Sequence, residues 1–266
     1  MSKKLGLALG AGGARGVAHI GFLKALEEDG IRPSYISGSS MGSIVGACYA
    51  KGMSADDMKD VIQKLKATDI VDIGILPLSK LGLMKWTKVR RLMSSFLEEC
   101  EFSDLEIPFT CVAVDILSGN LQVFSEGSVI DAILASSSMP TVFRPVEKDG
   151  MLLVDCGVLC RVPVRQVKAM GADVVVAVDV LGECKHSDKT LNMISLITRV
   201  YDIMDSYRTA GERKKNRRIT DLWLEPDIPG VSQYEVKYHA SVYDAGYKLG
   251  KENVEKIKSL LEDESE

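Results

Sequence analysis

Ser40 stands at the centre of a G-x-S-x-G pattern that spans residues 38–42. A short strand-like run, 34–37, precedes the pattern, and a helix-like segment, 41–52, follows it. In this context the pattern predicts a sharp turn that presents the serine hydroxyl at the edge of a sheet. The N–H groups at the start of the following helix, Met41 first, would stabilise a developing oxyanion. We therefore interpret Ser40 as a candidate nucleophile, whereas Ser39 occupies the variable position and needs only to be small.

A second glycine-rich segment, Gly10-Ala-Gly-Gly-Ala-Arg-Gly16, also lies between a predicted strand and a predicted helix. Backbone N–H groups in such a loop form an anion-binding concavity. A dinucleotide-binding loop is the rival interpretation, but position 15 is arginine where its third glycine is required. We expect an oxyanion loop with Gly12 and Gly13 as donors. Arg15 would brace the loop or approach an anionic substrate, although a solvated helix-start arginine fits equally well.

A serine hydroxyl needs a neighbouring base, and the sequence offers two kinds of candidate. The three histidines are His19, in the helix after the glycine loop, and His186 and His239, in polar stretches. His19 is expected to pack or to orient the loop. Asp155 ends an apolar strand-like run and precedes Cys-Gly, a turn that would expose its carboxylate. A Ser–Asp pair is therefore favoured, and a Ser–His–Asp triad stays open.

Together these segments resemble the patatin-like phospholipase family, whose pattern is G-G-G-x-[RK]-G, then G-x-S-x-G, then D-G-[GA]. This chain has 11–16, 38–42 and Asp155-Cys156-Gly157 at these places, and the resemblance covers roughly residues 4–165. It implies a three-layer α/β/α fold, hydrolysis of lipid esters, and a Ser40–Asp155 dyad without histidine. The motif glycines would be Gly10, Gly16, Gly38, Gly42 and Gly157. Ala11 and Cys156 replace family glycines, and Cys156 would strain the turn if its φ were positive.

Alternating strand-like and helix-like segments must position these residues. The first strand (4–9), the helix 17–28, the second strand, the helix from 41 and a Ser54-capped helix (55–67) predict a mostly parallel sheet covered by helices. The segments 108–116 and 121–126 predict a hairpin, followed by a helix (128–138) and strands at 151–155 and 173–180. Long helices are predicted at about 190–218 and 240–263. A single domain over residues 1–266 is the simplest interpretation.

Composition limits the function classes. The 266 residues are 46% hydrophobic and 26% charged, with a net charge of −4, which gives no argument for nucleic acid as a partner. The six cysteines show no zinc-like spacing and suggest reduced thiols, so we expect a cytoplasmic protein that needs no metal or other cofactor. No cue for an oligomeric state is present. A non-catalytic binder on the same scaffold is the contrasting class.

Two further segments bear on a lipid substrate. The stretch 70–86 is apolar but broken by Gly74, Pro77 and Gly82, and it suggests the lip of an acyl-chain channel or a loop packed under the next helix, 87–98. The segment 208–218 is basic along a helix, which fits a solvated face or a peripheral contact with a membrane.

Overall fold

The computed structural model describes residues 3–70, 84–140, 142–184 and 193–262. The strands are β1 (Leu5–Leu9), β2 (Tyr35–Ser39), β3 (Phe109–Asp115), β4 (Asn120–Phe124), β5 (Val146–Lys148), β6 (Met151–Asp155), β7 (Val174–Val178) and β8 (Leu222–Leu224). The helices are α1 (Val17–Glu28), α2 (Met41–Ala50), α3 (Ala55–Lys64), α4 (Ala67–Ile70), α5 (Thr87–Leu97), α6 (Val129–Ser136), α7 (Val164–Ala169), α8 (Met193–Lys215) and α9 (His239–Leu261).

These strands form one mixed sheet in the order β5-β6-β3-β2-β1-β7-β8, with β4 paired to β3. From β3 to β8 the neighbouring strands are parallel, whereas β4, β5 and β6 join as antiparallel partners. Helices cover both faces, so the expected three-layer α/β/α arrangement with a mostly parallel sheet is confirmed.

The core follows the alternation of the strands. In β1, Leu5, Leu7 and Leu9 face the large cluster beneath α1, α2 and α6, whereas Ala8 faces a smaller cluster beneath α7. Helix α9 packs along α1 so closely that a Cβ at Gly246 would lie 1.9 Å from the Ala18 carbonyl oxygen. The C-terminal helix therefore fixes the position of α1 and of the glycine loop before it.

The elements nearest the motifs agree with the sequence pattern. Helix α1 spans the residues that the spacing predicts, and the Ser54 hydroxyl accepts a hydrogen bond from the Asp57 N–H at 3.1 Å, as expected for a cap. The β3–β4 hairpin is also confirmed. The sequence pattern does not predict β5, α4, α7 or β8, because three to six residues are too few for a periodicity to emerge.

Candidate active site

Ser40 occupies a strained turn between β2 and α2. Its φ of 52° and ψ of −125° lie in a region that favours glycine. The turn persists because its surroundings hold it: the Ser40 N–H donates to Ser136 Oγ at 2.9 Å, and Ser43 Oγ donates to the Ser40 carbonyl at 2.6 Å. The flanking glycines allow this turn to pack closely against the end of β1, since a Cβ at Gly42 would lie 2.3 Å from the Leu9 carbonyl oxygen. This is the sharp strand-to-helix turn that the pattern predicts.

Sheet pairing brings Asp155 to the same place. Strand β3 pairs with β4 along one of its two edges. Along the other edge, residues 109–112 of β3 pair with β2 and residues 113–115 pair with β6. Ser39 is opposite Val112, and Asp155 is opposite the next residue, Ala113. Because β2 and β6 run toward each other, their carboxyl ends meet at this point. The turn at Ser40 and the carboxylate of Asp155 are therefore neighbours.

The Asp155 carboxylate is buried and has few donors. Its Oδ1 accepts a hydrogen bond from the Gly157 N–H at 2.7 Å, and the carboxylate also interacts with the Ser40 hydroxyl. Burial raises the pKa of Asp155 to about 6, and the two hydrogen bonds only partly oppose this effect. A carboxylate with such a pKa is a stronger base than one in water, yet it is ionised at neutral pH.

The turn after Asp155 resolves the question that Cys156 raises. Cys156 is buried in a 3₁₀ turn, and its φ is not positive. The glycine that the turn does need is Gly157, because a Cβ there would lie 2.3 Å from the Tyr201 hydroxyl and 3.1 Å from Asp155 Oδ1. Cys156 therefore fits this turn without backbone strain.

The glycine loop supplies free N–H groups beside Ser40. Within the part of the chain that the structure describes, the N–H groups of Gly12, Gly13 and Met41 have no hydrogen-bond acceptor, and all three residues line the cavity described below. Gly13 has a φ of +50°, and a Cβ there would lie 2.4 Å from the Gln233 carbonyl oxygen, which accepts from the Ala14 N–H at 2.8 Å. The loop is thus fixed, and these three N–H groups lie at the cavity wall that also holds Ser40.

Some residues of the two glycine motifs support the site without lining the cavity. Gly10, Gly16 and Gly38 are not among the cavity-lining residues, and each would clash with neighbouring atoms if it carried a Cβ. Arg15 also does not line the cavity. Burial lowers its pKa, and Asp179 and Asp227 are its nearby opposite charges. These positions favour the bracing role for Arg15 over contact with a substrate.

The histidines of the described residues are not placed as bases. His19 is fully buried, its Nε2 donates to the Gly10 carbonyl at 2.8 Å, and burial lowers its pKa to about 4. It orients the glycine loop, as one of its sequence interpretations has it. His239 begins α9 and does not line the cavity, and His186 lies outside the described residues.

A cavity of about 490 Å³ extends from these residues into the molecule. One end holds Ser40, Asp155 and the glycine loop, and the rest is almost entirely apolar. Its walls come from α2, α3 and α5, and include Met53, Met58, Val61, Ile62, Leu65, Val89, Met93 and Phe96. This size and lining suit a small or acyl ligand.

The segment 70–86 touches the cavity at its described end. Met84 and Trp86 line the wall, and Trp86 stacks on Phe143 with ring centroids 4.1 Å apart. Residues 71–83 of the predicted lip lie outside the described residues.

Several cavity residues escaped the sequence analysis. Tyr201 and Asp205 on α8 line the polar end, and so do Gln233 and Tyr234 from the segment before α9. Ser137 lines it too, and its buried hydroxyl has no hydrogen-bond partner in the described structure. The spacing of Tyr201, Asp205 and Arg208 places them on one helix face, which was the available signal.

A buried ionic cluster attaches α8 to the turn that follows Asp155. The Arg161 guanidinium donates to Asp179 at 2.7 Å and to Asp205 at 3.0 Å. Arg208 donates to Asp205 at 2.5 Å, to the Gly157 carbonyl at 3.0 Å and to the Leu159 carbonyl. Burial raises the pKa of Asp205, and the two arginines oppose this effect. The cluster thus holds the turn that follows Asp155.

Comparison with known proteins identifies the family. The family model described as patatin-like phospholipase matches residues 7–168, which include the glycine loop, Ser40 and Asp155. The chain belongs to the patatin-like phospholipase family.

Among its relatives, an uncharacterized NTE family protein of Mycobacterium bovis is 36% identical over 181 residues, 68% of this chain and 50% of that protein. The human patatin-like phospholipase domain-containing protein 6 is 34% identical over 274 residues, 93% of this chain and 20% of that protein. The chain therefore matches half or less of the length of these relatives.

The patatin-like fold is also found in VipD from Legionella pneumophila, whose crystal structure has a TM-score of 0.64 at 13% identity. The match covers 96% of this chain and 67% of that one, so this likeness concerns the fold.

Within the described residues, no group of three or more His, Cys, Asp or Glu side chains is arranged to hold a metal ion. None of the helices that the structure describes combines the length and the hydrophobicity that a membrane crossing requires.

Proposed function

We propose that this protein is a serine hydrolase of lipid acyl esters, acting as a phospholipase A or lysophospholipase through a Ser40–Asp155 dyad. The observation that carries the proposal is the buried Asp155 carboxylate beside the Ser40 hydroxyl, at the polar end of an apolar cavity. The family match supports the same substrate class.

The first half-reaction forms an acyl-enzyme. Ser40 Oγ attacks the ester carbonyl carbon while Asp155 accepts the hydroxyl proton, so that Ser40 need not ionise beforehand. The N–H groups of Gly12, Gly13 and Met41 stabilise the oxyanion of the tetrahedral intermediate; the loss of one such donor typically costs about 10²–10³ in rate. Collapse of the intermediate expels the alcohol, which takes the proton from Asp155.

The second half-reaction returns the enzyme to its starting state. Asp155 takes a proton from water as the water oxygen attacks the acyl carbonyl, and Ser40 Oγ leaves with that proton as a fatty acid is released. The apolar wall binds the acyl chain and excludes other water. The Ser137 hydroxyl, which has no hydrogen-bond partner among the described residues, is available to a polar group of the substrate at the same end.

A fluorophosphonate probe tests the nucleophile. The expected result is covalent labelling of the wild-type protein at Ser40 and no labelling of Ser40→Ala. A panel of phospholipids and lysophospholipids then defines the head group and the position of cleavage. Folded wild-type protein that neither reacts with the probe nor hydrolyses any lipid in the panel would favour the non-catalytic binder.

The triad alternative and the predicted metal independence have tests of their own. Loss of ester hydrolysis in His186→Ala or His239→Ala would favour the triad.

Metal dependence is tested with a chelator. Loss of ester hydrolysis in the chelator, restored by a divalent ion, would contradict metal independence.

A further inference from the structure

Helix α8 has its polar face toward the protein and its apolar face toward the outside. Between residues 195 and 210, every residue classed as exposed is apolar. The large ones, which we call the α8 outer face, are Leu196, Ile197, Val200, Ile203, Met204 and Tyr207, with 49% to 86% of each side chain exposed. A surface helix normally buries its apolar stripe, so this arrangement is the reverse of the usual one.

The polar underside explains why α8 does not simply rotate. Asp205 accepts from Arg161 and Arg208 in the buried cluster, and Ser206 Oγ accepts from the Cys184 N–H at 2.9 Å. Asp202 accepts from the Gln233 amide at 2.8 Å. Rotation would break these contacts and bury unpaired charges, which is costly. The apolar stripe is therefore held outward, where a patch of this kind marks an interaction site.

The helix that carries the outer face also borders the polar end of the cavity. Tyr201 and Asp205 line the cavity from the opposite side of the same helix. Tyr234 also lines the cavity, is 42% exposed, and donates to Asp202 of α8 at 3.1 Å. The cavity thus approaches the surface beside the outer face. An occupant of that face would lie next to the cavity.

The C-terminal end of α8 and the turn that follows it carry positive charge. Lys214, Arg217 and Arg218 are exposed, and no ion-pair partner is found for them in the described part of the chain. The chain as a whole has a net charge of −4, so this cluster is a local feature. An apolar face that ends in exposed lysine and arginine side chains is complementary to acyl chains beneath anionic head groups.

We propose that the α8 outer face is the surface through which this protein docks on a lipid bilayer, with Lys214, Arg217 and Arg218 at anionic head groups. This inference rests on the proposed function, because it assigns the bilayer as the source from which lipid esters enter the cavity. The helix lies in the plane of the interface, and its underside continues to hold the Asp155 turn.

Vesicle sedimentation of the Ser40→Ala protein tests the proposal without turnover. The vesicles are phosphatidylcholine alone or with 30% phosphatidylglycerol. Val200→Ser/Ile203→Ser should weaken partition roughly tenfold or more, since two half-exposed apolar side chains no longer enter the bilayer. The matched control is Ile116→Ser/Val123→Ser on the β3–β4 hairpin, where the exposed fractions are 50% and 49%, as they are for Ile203 and Val200. This control should bind as the parent protein does.

Charge reversal separates the two parts of the surface. Arg217→Glu/Arg218→Glu should weaken binding to the anionic vesicles and leave binding to phosphatidylcholine alone unchanged, and high salt should abolish the difference. If the first α8 pair fails to fold by circular dichroism, Leu196→Ser/Met204→Ser is the second pair. Absence of vesicle binding, or equal loss in the hairpin control, would overturn the proposal. A wild-type dimer that dissociates in the α8 variant without binding vesicles would also overturn it.

A soluble short-chain ester distinguishes this failure from failure of the proposed function. In the protein that retains Ser40, the Val200→Ser/Ile203→Ser variant should hydrolyse that ester at the wild-type rate and lose activity on vesicles. Vesicle binding through α8 in a protein that hydrolyses no ester would keep the docking surface and reject the hydrolase.

Discussion

The turn at Ser40 and helix α8 border the same cavity, but their sequences relate to the fold in opposite ways. Around Ser40 the apolar residues of β2 and α2 point into the core, and the polar Ser40 is the exception that faces the cavity. Between residues 195 and 210 of α8, polar residues such as Asp205 face the protein, whereas the large apolar residues of the outer face point outward. An apolar stripe in the sequence therefore does not by itself predict burial within the chain.

The two regions also hold their carboxylates differently. Asp155 is buried with two neutral donors, and its pKa is raised to about 6. Asp205 is equally buried but contacts Arg161 and Arg208, which oppose the effect of burial. The first arrangement suits a proton acceptor, whereas the second suits a structural ion pair. The following predictions test this division of roles, in order of decreasing effect.

Ser40→Ala should lower kcat/KM on a soluble ester by at least about 10³-fold, since members of a catalytic unit are not replaced by their neighbours. Stability should change little, because one hydroxyl is removed and the turn keeps its hydrogen bonds to Ser136 and Ser43. Ser39→Ala is the matched control. Its hydroxyl donates to the Cys160 carbonyl at 3.2 Å, and the variant should keep most activity. A reversal of the two results would place the nucleophile at Ser39.

Asp155→Asn should lower kcat/KM by about 10²–10⁴-fold, because an amide cannot accept the Ser40 proton. His239→Ala and His186→Ala should stay near wild type. Near-wild-type activity of Asp155→Asn, with a large loss in one histidine variant, would replace the dyad with a triad.

Asp155→Asn should also stabilise the folded protein at neutral and higher pH. The pKa of Asp155 is about 6 in the folded protein against 3.8 ordinarily, so the unfolded chain loses this proton more easily. The contribution of Asp155 to stability therefore falls as the pH rises from about 4 to about 6. At pH 8, Asp155→Asn should raise the free energy of unfolding by roughly 1–3 kcal/mol in urea denaturation.

How far the sequence predicts this site depends on distance along the chain. The sequence predicts Ser40, Asp155, Gly12 and Gly13 as candidates because each lies in a short motif, and the structure brings all four to one cavity. Tyr201 and Gln233 could not be predicted, because they reach the cavity only after α8 and the segment before α9 pack against the sheet. The outward direction of the apolar residues of α8 could not be predicted either, because an apolar stripe on a helix is normally buried.

Arg161→Leu tests whether the α8 underside is as firmly held as the core. It leaves Asp179 and Asp205 buried without their common partner, so the free energy of unfolding should fall by about 3–5 kcal/mol. Arg165→Leu is the control, because its side chain is 60% exposed and lies 3.7 Å from Glu212; it should cost less than about 1 kcal/mol. Equal losses in urea denaturation would show that the buried cluster does not anchor α8.

The pH profile sharpens the assignment of the base. Asp155 must be ionised to accept the proton, and its pKa is about 6. The value of kcat/KM on a soluble ester should therefore be constant above pH 7 and fall about tenfold between pH 7 and pH 5. A profile that stays flat down to pH 5 would remove Asp155 from this role. Circular dichroism at each pH shows that the fold is intact.

Cys156→Gly has the smallest expected effect, and it addresses the one departure beside the base. The family pattern has glycine here, yet Cys156 adopts its turn without a positive φ, so catalysis gains nothing from glycine. Its thiol packs against Val112, Val114 and Val154, and loss of this burial together with the added freedom of glycine should cost about 1–2 kcal/mol. At a temperature where both proteins are folded, kcat/KM should change less than about threefold, since the Gly157 N–H still positions Asp155. A rise above tenfold would mean that Cys156 restrains the base, and would favour a regulatory scaffold over an efficient hydrolase.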